Sequence, residues 1–200
     1  HNPFDRLNLI ENDWDYYLEP SVRRCYADLL GPTPLVTICP ELIDFVSSTR
    51  RAEDVSVASF LLNLNQHIYC SIKWEPGSSH VGTTAMEALS QRKGVCQDFS
   101  HIMLAACRWM GIPCRYVSGY AYDGGSGASL HADHAMHAWV ECLMPGGFWR
   151  GFDPTNNLMA NASFVKVHTG RDFRDITPVK GLYTGPAEHE LITEVRIGGG

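Results

Sequence analysis

The chain lacks several features that would assign it a function quickly. It has no apolar run approaching the ~18 residues of a membrane helix, and no charged leader followed by a short apolar core. It has no surplus of positive charge: 16 Lys and Arg stand against 22 Asp and Glu, a formal net charge of −6. That leaves no basic footprint for nucleic acid. Internal repeats and low-complexity tracts are absent, and so is any Cys-x-x-Cys pair. The seven cysteines, Cys25, Cys39, Cys70, Cys96, Cys107, Cys114 and Cys142, are odd in number and scattered. This pattern argues against a disulfide framework and against zinc held by paired thiols, and for mostly buried free thiols in a reducing compartment. The expectation is a cytoplasmic protein without nucleic-acid or membrane partners.

What is present fits one globular domain. The chain has 200 residues, 44% of them hydrophobic and 19% charged, enough for a sizeable core. Residues 1–39 are aromatic-rich but broken by Pro20, Pro32 and Pro34. They read as an extended docking segment with a short helix or turn, set before a domain over residues 40–200. Pro40 opens a short helix with acids in its first turn. Val57, Phe60, Leu61, Leu64 and Ile68 then form one apolar stripe, predicting a helix from about Asp54 to Ile68. A loop with Pro76 and Gly77 follows. Thr84 and Glu87 match a capping box before a short helix that Gly94 can terminate.

In "GVCQDFSHIMLAACRWMGIP", Phe99, Ile102, Met103, Ala106 and Met110 keep helical spacing, and Gly111 and Pro113 end the helix. Cys96 sits at its start. After Pro113 the period changes: "CRYVSGYAY", "HAWVECLM", "FWRGF", "SFVKVHTG" and "HELITEVRI" read as strands, with a glycine-rich loop over "DGGSGASLHADHAM". Helices first and antiparallel strands afterwards predict an α+β fold with the helices packed on the sheet.

The "PGG" turn at Pro145–Gly147 permits an estimate of register. If Met144 and Phe148 flank a three-residue turn, facing residues have numbers summing to 292, and His137 lies opposite Thr155; a tighter turn moves its partner to Pro154. Either register leaves Asp153 within about two residues of His137 on the adjacent strand, within a carboxylate's reach of an imidazole. Cys96 has two readings: a small packed residue, the more frequent role of a buried thiol, or a nucleophile. A helix start stabilises a thiolate through its partial charge and unpaired N–H groups, and those groups can also donate to an oxyanion. Histidine can then shuttle the proton while Asp153 holds the ring in one tautomer. The joint occurrence favours an acyl-transfer site of Cys96, His137 and Asp153.

The blocks "GVCQDFSHIMLAACRWMGIPCRYVSGY", "MHAWVE" and "WRGFDPTNN", in that order, resemble the transglutaminase-like superfamily, and within it the bacterial proteins related to cysteine peptidases. The resemblance runs from about Pro40 to Ile197. It implies a papain-like α+β fold with the cysteine at a helix N-terminus and Cys96, His137 and Asp153 as catalytic triad. It also implies that a side chain from the upstream segment completes the oxyanion hole, with Tyr69 and Trp74 as candidates. Fuller relatives carry an N-terminal β domain, so residues 1–39 correspond to its remnant or link. The implied substrate is a peptide or protein amide, with hydrolysis slightly favoured over transamidation. A non-catalytic binding module keeping the fold is the alternative from another class.

No cofactor is needed, and the acidic loop pattern that calcium would require is missing. Gln97 and Asp98 read as a polar rim residue and a dipole-complementing acid, either able to touch substrate. Trp139 reads as a cleft wall or core anchor. His131, Asp133, His134 and His137 make only a weak metal signature.

Overall fold

The computed structural model describes residues 14–49, 56–121 and 136–176. The first of these stretches is folded onto the rest. A 3-10 turn at Trp14–Leu18 and helix α1 (Pro20–Cys25) lead to α2 (Pro40–Thr49), whose first residue is the proline that pre-sets a helical φ. Tyr17 is buried, and its hydroxyl donates to the Leu143 carbonyl at 2.7 Å, while Trp14 meets Phe60 edge-on at 5.5 Å. Residues 14–39 therefore contribute side chains to the same core as the strands.

Helix α3 (Val57–Ser71) starts later than its apolar stripe suggested, because Ser56 is extended and its hydroxyl caps the Ser59 N–H. Val57, Phe60, Leu61, Leu64 and Ile68 are all buried. The loop that follows contains a short strand, β1 (Lys73–Trp74), paired in parallel with β2 (Lys93–Gly94). Between them α4 (Ala85–Gln91) carries the Thr84–Glu87 capping box. Arg92, not Gly94, takes the left-handed position that ends it, at φ 54°. Gly94 instead serves a close approach described below.

Helix α5 (Cys96–Trp109) is the central element; from Gln97 to Arg108 every residue is buried. Gly111 follows it at φ 77°, the left-handed conformation a glycine adopts at little cost. The chain then enters the sheet: β3 (Cys114–Ala121), β4 (Met136–Met144), β5 (Phe148–Asp153), β6 (Leu158–Met159) and β7 (Phe164–Gly170). All pairings are antiparallel, in spatial order β6-β5-β4-β3-β7. The β4–β5 register has Met144 opposite Phe148 and Val140 opposite Phe152, which is the sum of 292 that the three-residue turn requires.

Ala138, Val140, Cys142 and Met144 turn into the core with α5, and alternation gives His137 and Trp139 the other side of β4. The architecture is the expected α+β arrangement of helices against an antiparallel sheet. All seven cysteines are free, but only Cys107, Cys114 and Cys142 are buried; Cys25 and Cys70 are exposed and Cys39 and Cys96 lie between. No described helix is long and apolar enough to cross a membrane. The strand expected at "HELITEVRI" and most of the glycine-rich loop lie outside the described residues.

Candidate active site

The packing of α5 against β4 sets the level of the site. Cys107 Sγ lies 3.7 Å from Cys142 Sγ. From that contact, going back along the helix to Cys96 covers about 16 Å at ~1.5 Å per residue. Going back along the strand to His137 covers about 16 Å at ~3.3 Å per residue. Helix start and strand start thus lie at the same level, and Cys96 is near enough to His137 to act on its charge.

His137 is 1% exposed and Asp153 is 0% exposed. The ring Nε2 donates to Asp153 Oδ2 at 2.8 Å, which leaves Nδ1 as the second ring nitrogen. Nδ1 has no well-formed hydrogen bond among the described residues. Burial alone would lower the imidazole pKa, but the hydrogen bond to Asp153, the nearby Cys96 thiol and the charge of both push it up to about 10. Beneath the ring, Trp139 stacks at 6.2 Å and 28° and meets Phe164 edge-on at 5.3 Å. A Cβ on Gly119 would lie 2.7 Å from Trp139 Cη2, so that glycine helps leave the slot the indole fills. At 1% exposure Trp139 is a core anchor under His137 rather than a wall open to substrate.

Asp153 accepts four hydrogen bonds. Besides His137, the Thr155 and Asn156 N–H groups donate to Oδ1 at 3.0 and 3.3 Å, and the Asn156 amide donates to Oδ2 at 2.8 Å. Asn157 has φ 53° and accepts from the buried Asn65 of α3 at 3.1 Å, tying this turn to the helix layer. Asn65, Asn156 and Asn157 went unnoticed in the sequence. A turn residue has no periodicity to reveal it, although an aspartate whose carboxylate can take the N–H two residues on is a recognisable turn signal.

The residues beside Cys96 hold its turn in place. Asp98 is buried at 1% exposure and its Oδ2 accepts from the Val95 N–H at 2.7 Å and from the Ser79 hydroxyl. Burial raises its pKa against the pull of those two bonds. Gln97 donates through Nε2 to the Val81 carbonyl at 3.2 Å. Both side chains offered as substrate contacts are thus committed to pinning the loop before α4 onto the start of α5. Trp74 faces Gly94 in the parallel pairing, two residues from Cys96. Tyr69 is 44% exposed on the last turns of α3, and no described contact ties it to Cys96 or His137.

Tyr116, also unnoticed in the sequence, is buried on β3. Burial raises its hydroxyl pKa far above the ordinary value, with the charges of Cys96 and Asp98 adding to the effect. His131, Asp133 and His134 lie outside the described residues, and among the described residues no three metal-ligating side chains cluster.

Residues 45–154, which include Cys96, His137 and Asp153, match the transglutaminase-like superfamily. The chain belongs to that superfamily. An uncharacterized protein of Mycobacterium leprae is 40% identical over 125 residues, covering 61% of this chain and 43% of its own length. One of Mycobacterium bovis is 36% identical over 138 residues, covering 66% and 44%. The chain thus spans less than half the length of these relatives.

Among solved structures, a candidate cysteine protease of Cytophaga hutchinsonii superposes with a TM-score of 0.66 at 28% identity, over 83% of this chain and 54% of that one. Red sea bream transglutaminase superposes with a TM-score of 0.52 at 14% identity, over 80% and 35%, a likeness of fold alone.

Proposed function

We propose that the protein is a thiol acyl-transfer enzyme acting on a peptide or isopeptide amide through Cys96, His137 and Asp153. The observation that carries this reading is the buried His137–Asp153 pair, 2.8 Å apart, brought to the level of a half-buried cysteine at the first position of α5. Cys96 attacks the amide carbonyl and His137 gives the Nδ1 proton to the leaving amine. The C–N bond breaks as the thioester forms. The helix is open at its start: the Asp98 and Phe99 N–H groups already bond the Val95 carbonyl. The N–H of Cys96 donates to the oxyanion in this reading, and Tyr69 and Trp74 stay the candidates for a second donor.

Water resolves the thioester in preference to an amine, a reading supported by the likeness to the Cytophaga hutchinsonii protein. No cofactor enters this mechanism, and neither nucleic acid nor a membrane is a partner. We also propose a cytoplasmic location, supported by the seven free thiols.

Alkylation by iodoacetamide near neutral pH tests the proposal, with the exposed Cys25 and Cys70 as internal references. Cys96 is expected to label faster than either despite being less exposed, and to lose that advantage in His137→Ala. Equal slow labelling of all three would leave a binding module that keeps the fold.

A further inference from the structure

The turn after β5 holds more donors on Asp153 than are needed to fix its position. Two backbone N–H groups, of Thr155 and Asn156, already grip Oδ1 and set the rotamer. The turn itself is anchored to α3 through Asn157 and Asn65. The Asn156 side chain nevertheless reaches back to Oδ2, the oxygen that faces His137, and donates at the same 2.8 Å as the imidazole does. A carboxylate oxygen shared by two donors divides its charge between them.

We propose that Asn156 is a positioning residue of the site whose amide, by sharing Asp153 Oδ2 with His137, limits how tightly the carboxylate holds the imidazolium. The inference rests on the acyl-transfer reading: a His137 held too tightly keeps its proton when the leaving amine needs it. Among the described residues, the titratable groups facing His137 are Asp153 and Cys96. Asp153 comes from β5 and Cys96 from α5, while β3 presents Gly119 and β7 presents Phe164. Because the Asn156 amide bonds the same oxygen at the same length as the imidazole, its removal has a measurable effect on His137.

The direction of that effect separates this role from a merely structural one. If Asn156 only held the turn, its loss would let Asp153 drift away and the His137 protonation midpoint would fall toward the ordinary histidine value. If it shares the charge of Oδ2, its loss leaves more charge on His137 and the midpoint rises.

The test follows the ring nitrogens of His137 by NMR in the full chain, in a Cys96→Ser background so that the readout is independent of the thiol. Asn156→Ala is expected to raise the midpoint by about half a pH unit or more, and Asn156→Asp, of the same shape but adding a second carboxylate, by more than that. Asn65→Ala, which releases the turn without touching Oδ2, is expected to leave the midpoint unchanged or lower it. No movement or a fall in the Asn156 variants, or an equal rise in Asn65→Ala, would overturn the inference. If the expected order is found while Cys96 alkylates no faster than the reference thiols, the acyl-transfer reading fails and the charge-sharing by Asn156 stands.

Discussion

His137 meets Asp153 on a diagonal. The residue that continues the β4–β5 register opposite Asp153 is Trp139, and His137 lies two places further along the same side of the strand. The imidazole therefore rests on the indole while its Nε2 reaches the carboxylate, and both are removed from water.

This arrangement fixes the alkaline behaviour of the fold. His137 has its pKa raised to about 10 in the folded chain by Asp153 and Cys96 acting against burial. Its contribution to stability is thus complete below about 6.5, the unfolded value, and is lost as pH rises through about 10. Urea denaturation between pH 7 and 10 should show stability declining with pH, and His137→Gln should flatten that decline. An unchanged slope in the variant would contradict the assignment.

His101 works in the opposite sense. It is fully buried on α5, accepts at Nε2 from the Phe173 N–H at 3.3 Å, and packs on Tyr116 at 5.4 Å. Burial lowers its pKa to about 4, with Arg108 adding to the effect while Asp172 and the Thr83 backbone oppose it. Between about pH 6.5 and 4 the unfolded chain binds a proton that the folded chain refuses, so stability falls as pH falls through this window. A single such histidine costs up to about 3 kcal/mol. Denaturation curves from pH 7.5 down to 4.5 should show the loss, and His101→Gln should remove most of it.

The parts of this site that could be read in the sequence are those governed by periodicity. The stripe of α5 placed Cys96 at a helix start, and the "PGG" turn narrowed the β4–β5 register to two choices that both keep Asp153 near His137; the packing of the helix start beside that pair leaves no periodic signal, and only the family resemblance implied it. Features that depend on a single side chain bending back were hidden. Asp98 reads as a first-turn acid complementing the dipole, but its carboxylate is spent on Val95 and Ser79. Asn156 reads as one more polar turn residue. Arg92 ends α4 in a left-handed conformation that nothing in its type announces. The β1–β2 pairing is too short to leave an alternating pattern. The role of residues 14–39 was obscured by prolines, although Tyr17 and Trp14 are core side chains.

Gly94 and Gly111 flank the same helix and give contrasting predictions. A Cβ on Gly94 would lie 2.6 Å from Asp98 Cβ and 2.7 Å from its Oδ2, and neither atom can yield without releasing the Val95 N–H. Gly94→Ala therefore forces Asp98 away from the turn that carries Cys96. The expected cost is about 1 to 3 kcal/mol, with loss of the His137-dependent reactivity of Cys96. At the other end, a Cβ on Gly111 meets nothing within 4 Å, but the residue sits at φ 77°. Gly111→Ala should cost about 1 kcal/mol of backbone strain and leave the alkylation of Cys96 as it was. Thermal unfolding and iodoacetamide kinetics on the two variants separate the outcomes. If both lose stability alike and both keep a fast Cys96, the helix start is not held by the Gly94–Asp98 approach.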